Sequence, residues 1–131
     1  MPHAGSMVLL DRVERWDSAS VLCRTRSHLD PANPLRHAGR LAALCGIEYG
    51  LQAAALHGGL QAGAAQQAGY AASLRGVILH VDRLDDPALG ELRVEATLET
   101  QERFGIVYAF EVRSDAGAPL VAGRASIALP R

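Results

Sequence analysis

An ionisable carboxyl inside an apolar stretch is where chemistry is first suspected in this chain. Glu48 stands in LAALCGIEYGLQAAALHG, residues 41–58, where nearly every neighbour is small and apolar. A carboxyl shielded by Leu44, Cys45 and Leu51 should be pushed toward its protonated form by desolvation, the direction a general acid needs. Gln52 follows one helical turn later and could orient the carboxyl or a substrate hydroxyl. An acid needs a base, and imidazole suits that role because its ordinary pKa lies near neutrality. The chain has 5 histidines: His3, His28, His37, His57 and His80. Backbone N–H groups at the start of the expected helix, around Gly39 to Ala43, would supply donors to an oxygen gaining negative charge.

Blander readings stand beside these. Glu48 could be a carboxyl hydrogen-bonded at a subunit interface, because unpaired burial is costly. His57 reads as a helix-end residue, His80 as a strand residue and His37 as an exposed loop residue. The histidines are scattered, with no spacing that would gather three metal ligands, so no metal site is expected.

The elements that would carry these groups follow from periodicity. Leu41, Leu44, Ile47, Leu51 and Ala55 recur at helical spacing, predicting one helix from roughly Leu41 to His57 with Gly58-Gly59 at its end. Gly46 and Gly50 share a face and should let another backbone come close. Before the helix, Val8 to Arg15 and Ser20 to Ser27 read as a hairpin around Trp-Asp-Ser-Ala. In the second arm Val21, Cys23 and Thr25 alternate with Leu22, Arg24 and Arg26. Residues 28–40, HLDPANPLRHAGR, read as a loop. After the helix the period changes to two: Ser73 to Leu84, Leu92 to Glu99, Ile106 to Val112 and Pro119 to Leu129 read as strands of a meander. Strands with one apolar face need a cover, and one helix against five or six antiparallel strands provides it, an α+β layering.

Bulk properties narrow the classes. The chain has 131 residues, enough for one domain over 1–131. Hydrophobic residues make up 49% and charged residues 21%, which argues against disorder. A net charge of −1 gives no reason to expect nucleic acid. No apolar run approaches the roughly 20 residues that span a bilayer, so no membrane is expected. The first residues lack a signal-peptide pattern, and a cytoplasmic location is expected. Cys23 and Cys45 read as reduced core cysteines. All 13 basic residues are Arg.

Two motifs in this order resemble a known family. Pro2-His3-Ala4-Gly5-Ser6-Met7-Val8-Leu9-Leu10-Asp11-Arg12-Val13 resembles the opening of the small hot-dog-fold 3-hydroxyacyl-[acyl carrier protein] dehydratases. Glu48-Tyr49-Gly50-Leu51-Gln52-Ala53 resembles their helix motif. The order of helix and strands is similar over essentially the whole chain, and the subgroup of aryl-polyene and related pigment or lipid clusters is the most similar. The chain departs from the pattern in two places. Pro34 stands where the family carries Gly-His-Phe-Pro, and Ala42-Ala43 replaces the Pro-Gly at the helix start. His28-Leu29-Asp30-Pro31-Ala32-Asn33-Pro34 resembles a stretched form of that histidine loop.

The resemblance implies a hot-dog fold and loss of water from a 3-hydroxyacyl thioester, with Glu48 as acid and His28 or His3 as base. It implies a substrate contact surface including Gln52, Gly39, Ala43 and Leu44. It implies no cofactor beyond the phosphopantetheine that arrives on the substrate. Arg24, Arg26, Arg36 and Arg40, with Arg75 nearby, would attract an acidic acyl carrier protein. A homodimer or higher oligomer, or a hetero-oligomer with another hot-dog protein, would complete the site. Alternatives on the same fold are a thioesterase, with Glu48 activating water, and a non-catalytic subunit partnering an active homologue.

Overall fold

A computed structural model describes residues 8–62 and 70–128. One α-helix, α1 (Gly46–Ala62), lies across a six-stranded sheet. The strands are β1 (Arg12–Trp16), β2 (Ser20–Thr25), β3 (Tyr70–Leu79), β4 (Leu92–Glu102), β5 (Gly105–Arg113) and β6 (Pro119–Ala128). Their spatial order is β1-β2-β4-β5-β6-β3, and every neighbouring pair is antiparallel. This is the hot-dog arrangement. The meander covers only β4, β5 and β6. The strand after the helix does not open it; β3 crosses to the far side and pairs with β6 at the sheet's edge.

The inner face follows from the two-residue period. Val21, Ala96, Phe110 and Gly123 sit opposite one another on β2, β4, β5 and β6. Cys23, Val94, Val112 and Val121 form the next row. All but Gly123 are buried, and Cys23, surrounded by this apolar layer, has its thiol pKa pushed up to about 11 by burial. The helix rests on these rows through its glycines. A Cβ on Gly46 would come within 2.8 Å of a Val121 methyl, and one on Gly50 would run into the Phe110 ring. The close approach expected at these glycines is therefore real, but the neighbour is a side chain of the sheet rather than another backbone.

The helix bounds differ from the expectation at both ends. Residues 41–43 are pulled into an extended path. Leu84 N–H donates to Leu41 C=O (2.8 Å), Ala43 N–H to Asp82 C=O (3.0 Å) and Leu41 N–H to the Asp85 carboxylate (3.2 Å). A 3-10 turn at Ala43–Cys45 then leads into α1. At the far end Gly58 and Gly59 do not stop the helix, which continues to Ala62. His57 lies inside it and not at its end. Its Nε2 bonds the Asp17 carbonyl (2.8 Å) and its Nδ1 the Tyr108 hydroxyl (2.6 Å). The carbonyl can only accept, so Nε2 carries a proton, and one ring fastens the helix to both the β1–β2 turn and β5. No helix among the described residues is long and apolar enough to cross a membrane.

Candidate functional site

The loop after β2 is built from short polar side chains that satisfy one another. Asp30 accepts from Ala32 N–H (2.9 Å) and Asn33 Oδ1 from Leu35 N–H (2.9 Å), the Asx turns that residues of this type favour. Asn33 Nδ2 donates to the Ser27 carbonyl (2.9 Å) and to the Tyr49 hydroxyl (3.0 Å). Since Tyr49 receives that hydrogen, its own proton points to Ser27 Oγ (2.9 Å), and Ser27 donates onward to Leu9 C=O (2.6 Å). Thr25 Oγ1 reaches the same carbonyl (2.5 Å). Gln52 Oε1 accepts from Leu9 N–H (3.0 Å). Burial of the Tyr49 phenol raises its pKa, so it stays protonated as this chain of bonds requires. Two residues of the helix, Tyr49 and Gln52, thus bind the N-terminal segment and the loop to α1.

Arg36 braces the other side of the loop. It donates to the carbonyls of Asp30 (2.9 Å), Gly39 (3.0 Å) and His28 (3.1 Å), and lies 3.7 Å from Asp85. Arg83 holds Asp85 through two bonds of 2.9 and 2.6 Å and keeps that carboxyl well below the usual range. A pocket of about 340 Å³ opens against this loop, walled by Leu9, Asp11, Arg26, Ser27, Asp30 and Asn33 among others.

His28 sits in the 3-10 turn Ser27–Leu29 and is fully buried. Neither ring nitrogen makes a hydrogen bond of full geometry. Burial lowers its pKa, while a backbone group of Gly90 and the charge of Asp11 favour the protonated ring and Arg26 and Arg36 oppose it. The ring is therefore held neutral at pH 7, with a lone pair on one nitrogen. A buried ring whose nitrogens lack a hydrogen bond of full geometry carries a cost, and a catalytic role is one reason for a fold to keep it.

Glu48 is placed otherwise than expected. Within one chain it is exposed, not shielded. Leu44, its neighbour one turn back, is 59% exposed, so the apolar cover expected from Leu44, Cys45 and Leu51 is not made by a single subunit. The expected donors at Gly39 to Ala43 also change role. The N–H groups of Arg40, Leu41 and Ala43 are taken by His37 C=O, Asp85 and Asp82 C=O. Gly39 is exposed in a left-handed turn (φ 75°). Gln52 spends its carbonyl oxygen on the Leu9 N–H.

The arginines divide into two kinds. Arg24 is not a surface cation: its side chain is 10% exposed and lies against Glu91 (3.0 Å), Asp115 (2.5 Å) and Glu14 (3.7 Å). Arg36 is committed to the loop. Arg26, Arg40 and Arg75 are exposed. His37 is exposed beside Arg40, and His80 is exposed after β3. His3 lies outside the described residues. The residues that sequence reasoning missed are Tyr49, Asn33 and Ser27. A phenol in an Ala- and Gly-rich helix, and an Asn between two prolines, were the available signals.

A family model of the ApeP dehydratase matches residues 1–131. The chain belongs to the ApeP-like dehydratase family. Solved structures agree on the fold. The ApeI:P dehydratase heterocomplex from Xenorhabdus doucetiae superposes with a TM-score of 0.79 at 23% identity, covering 100% of this chain and 88% of that one. AziG from S. sahachiroi gives 0.70 at 17% identity, covering 95% and 93%. A mutant of thioesterase PA1618 from Pseudomonas aeruginosa gives 0.66 at 19% identity, covering 92% and 81%. Among curated proteins none matches. The family assigns this member dehydration, a hydro-lyase activity, and the thioesterases share its architecture.

Proposed function

We propose that the chain removes water from a 3-hydroxyacyl thioester carried on an acyl carrier protein, with His28 as base and Glu48 as acid. The observation that carries this reading is the buried, neutral His28 with neither nitrogen in a full hydrogen bond. A nitrogen lone pair of His28 takes the C2 proton. The C–H electrons form the C2–C3 double bond, the C3–O bond breaks, and the hydroxyl leaves as water with the proton from Glu48. The products are an enoyl thioester, water, protonated His28 and ionised Glu48; one proton passed from His28 to Glu48 resets the pair. No cofactor enters beyond the phosphopantetheine of the substrate.

Glu48 needs a second subunit to become an acid. Its exposure beside Leu44 is a surface awaiting cover, and the β3 edge carries exposed Leu74, Ile78 and Leu79. An unpaired apolar edge strand invites pairing with another sheet. A second hot-dog chain along that edge, a copy of this one or a homologue, would supply that cover. The likeness to a heterocomplex supports the homologue as partner. Exposed Arg26 and Arg40, with exposed Arg75, are the cations of that set left to attract an acidic carrier protein.

The test is the mass of a 3-hydroxyacyl-loaded carrier protein after incubation with the chain, alone and with a hot-dog homologue. Loss of one water supports the reading. Loss of the whole acyl group would make the chain a thioesterase. No change under either condition would leave it a non-catalytic subunit.

A further inference from the structure

We propose that the Tyr49 hydroxyl is the positioning group for His28, acting through Ser27 and Asn33. The inference rests on the reading of His28 as the base. Tyr49 is fully buried, and its oxygen touches the loop at two points on either side of His28. Ser27 precedes that histidine directly and Asn33 closes the turn behind it. Asn33 also holds the Ser27 carbonyl (2.9 Å), so Tyr49, Ser27 and Asn33 form a closed triangle of hydrogen bonds under the 3-10 turn that carries His28. The ring has no hydrogen bond of full geometry, only the looser approach of a Gly90 backbone group, so the turn that carries it does most to set its place. Arg36, bonded to the His28 carbonyl at 3.1 Å, supports that backbone from the far side.

The position of Tyr49 in the chain gives the tie its consequence. It follows Glu48 directly, on the same turn of α1. The helix that carries the acid therefore also carries the clamp on the base loop. Displacing the loop by about an ångström is enough to cost 10- to 100-fold in rate when a proton must pass between aligned groups. A clamp of this kind should act on the chemical step and not on substrate affinity.

Tyr49→Phe removes one oxygen and keeps the ring in the core. The full chain is used, with whichever hot-dog partner it needs for turnover, on a 3-hydroxyacyl-loaded carrier protein. We expect kcat to fall about 10- to 100-fold with KM within about threefold. The His28 ring signals in the nuclear magnetic resonance spectrum should titrate higher, toward the ordinary histidine value, as water reaches the loosened loop. Asp11, Arg26, Arg36 and the Gly90 backbone, which act on that ring, are unchanged by the substitution. In a His28→Ala background Tyr49→Phe should cost nothing further. Should Tyr49→Phe fold poorly, Ser27→Ala cuts the same path at its other end and should give the same pattern. Wild-type kcat with an unmoved His28 titration overturns the tie, as does an equal loss of rate in the His28→Ala background. A silent His28→Ala overturns the reading on which the tie rests, an outcome distinct from a silent Tyr49→Phe beside a damaging His28→Ala.

Discussion

Gly50 is the point where the helix and the sheet press hardest, and Gly50→Ala tests whether that contact sets the site. Taken alone, alanine should stabilise the helix by about 1 kcal/mol relative to glycine. The structure argues for the opposite result. A Cβ at Gly50 would overlap the Phe110 ring and lie 2.8 Å from Phe110 Cβ. The ring cannot swing away freely, because its far edge already fills the space over Gly123, where a Cβ would be 2.9 Å from Phe110 Cζ. Overpacking of this severity costs about 3 kcal/mol, the upper end of the usual span. Less the helix gain, the net loss is about 2 kcal/mol, or roughly 8 °C in Tm for a domain of this size. Thermal unfolding followed by circular dichroism reads it directly. Phe110→Leu in the same chain should relieve part of the overlap, so the double variant should lose less than the sum of the two singles. A Gly50→Ala protein that melts at or above wild type would refute the packing argument, and with it the claim that these glycines seat α1 on the sheet.

His28 should leave a signature in stability. Its folded-state pKa is lowered from 6.5, so below about pH 6.5 the unfolded chain binds a proton that the native chain refuses. Stability should therefore fall as pH drops through that value, and His28→Gln should flatten the slope in chemical denaturation between about pH 5 and 7. Arg24→Met should cost about 2 kcal/mol of stability, because it strips a cation from Glu91 and Asp115. It should not alter the salt dependence of KM, whereas Arg26→Glu with Arg40→Glu should raise KM and leave stability near wild type; the reverse pattern would reinstate Arg24 as a docking residue. Ile78→Asp, on the exposed β3 edge, should shift sedimentation toward the monomer at micromolar concentration, alone or mixed with a hot-dog homologue, and a wild type that sediments as a monomer under both conditions would remove the edge-pairing proposal.

Local pattern made part of this protein legible. The recurrence of Leu44, Ile47, Leu51 and Ala55 fixed the presence of the helix, and the two-residue period found β2, β4, β5 and β6. Long-range competition decided the rest. Leu41 to Ala43 look helical in sequence but are captured by backbone and carboxylate groups of residues 82–85. Gly58 and Gly59 look like a stop, but the helix around them is held by a histidine that reaches two other elements. The crossing of β3 to the sheet's edge depends on which strand offers a free side, which periodicity does not encode. Arg24 and Arg26 look alike in the alternation of β2. They differ because the carboxylates of Glu91 and Asp115, far along the chain, close over only one of them. In the site, His28 was singled out by its loop of prolines, and its burial in the Ser27–Leu29 turn became visible only in the fold. The hydroxyl triangle beneath it was not legible, since Ser27, Asn33 and Tyr49 meet only after the helix docks. Glu48 was readable as an unusual carboxyl, but no shelter for it is found among the described residues of its own chain.

The central claim is that His28 and Glu48 together remove water from a 3-hydroxyacyl thioester. The most direct test is the rate of water loss from a 3-hydroxyacyl-loaded carrier protein, read by mass for wild type, Glu48→Gln and His28→Ala, each with the partner subunit the wild type requires. Glu48→Gln keeps the shape of the side chain and removes its proton. Each substitution should lower the rate by about 10²-fold or more; Glu48→Gln should keep the melting temperature near that of the wild type, whereas His28→Ala, which empties a fully buried site, should lower it. A Glu48→Gln protein that dehydrates at the wild-type rate would contradict the account.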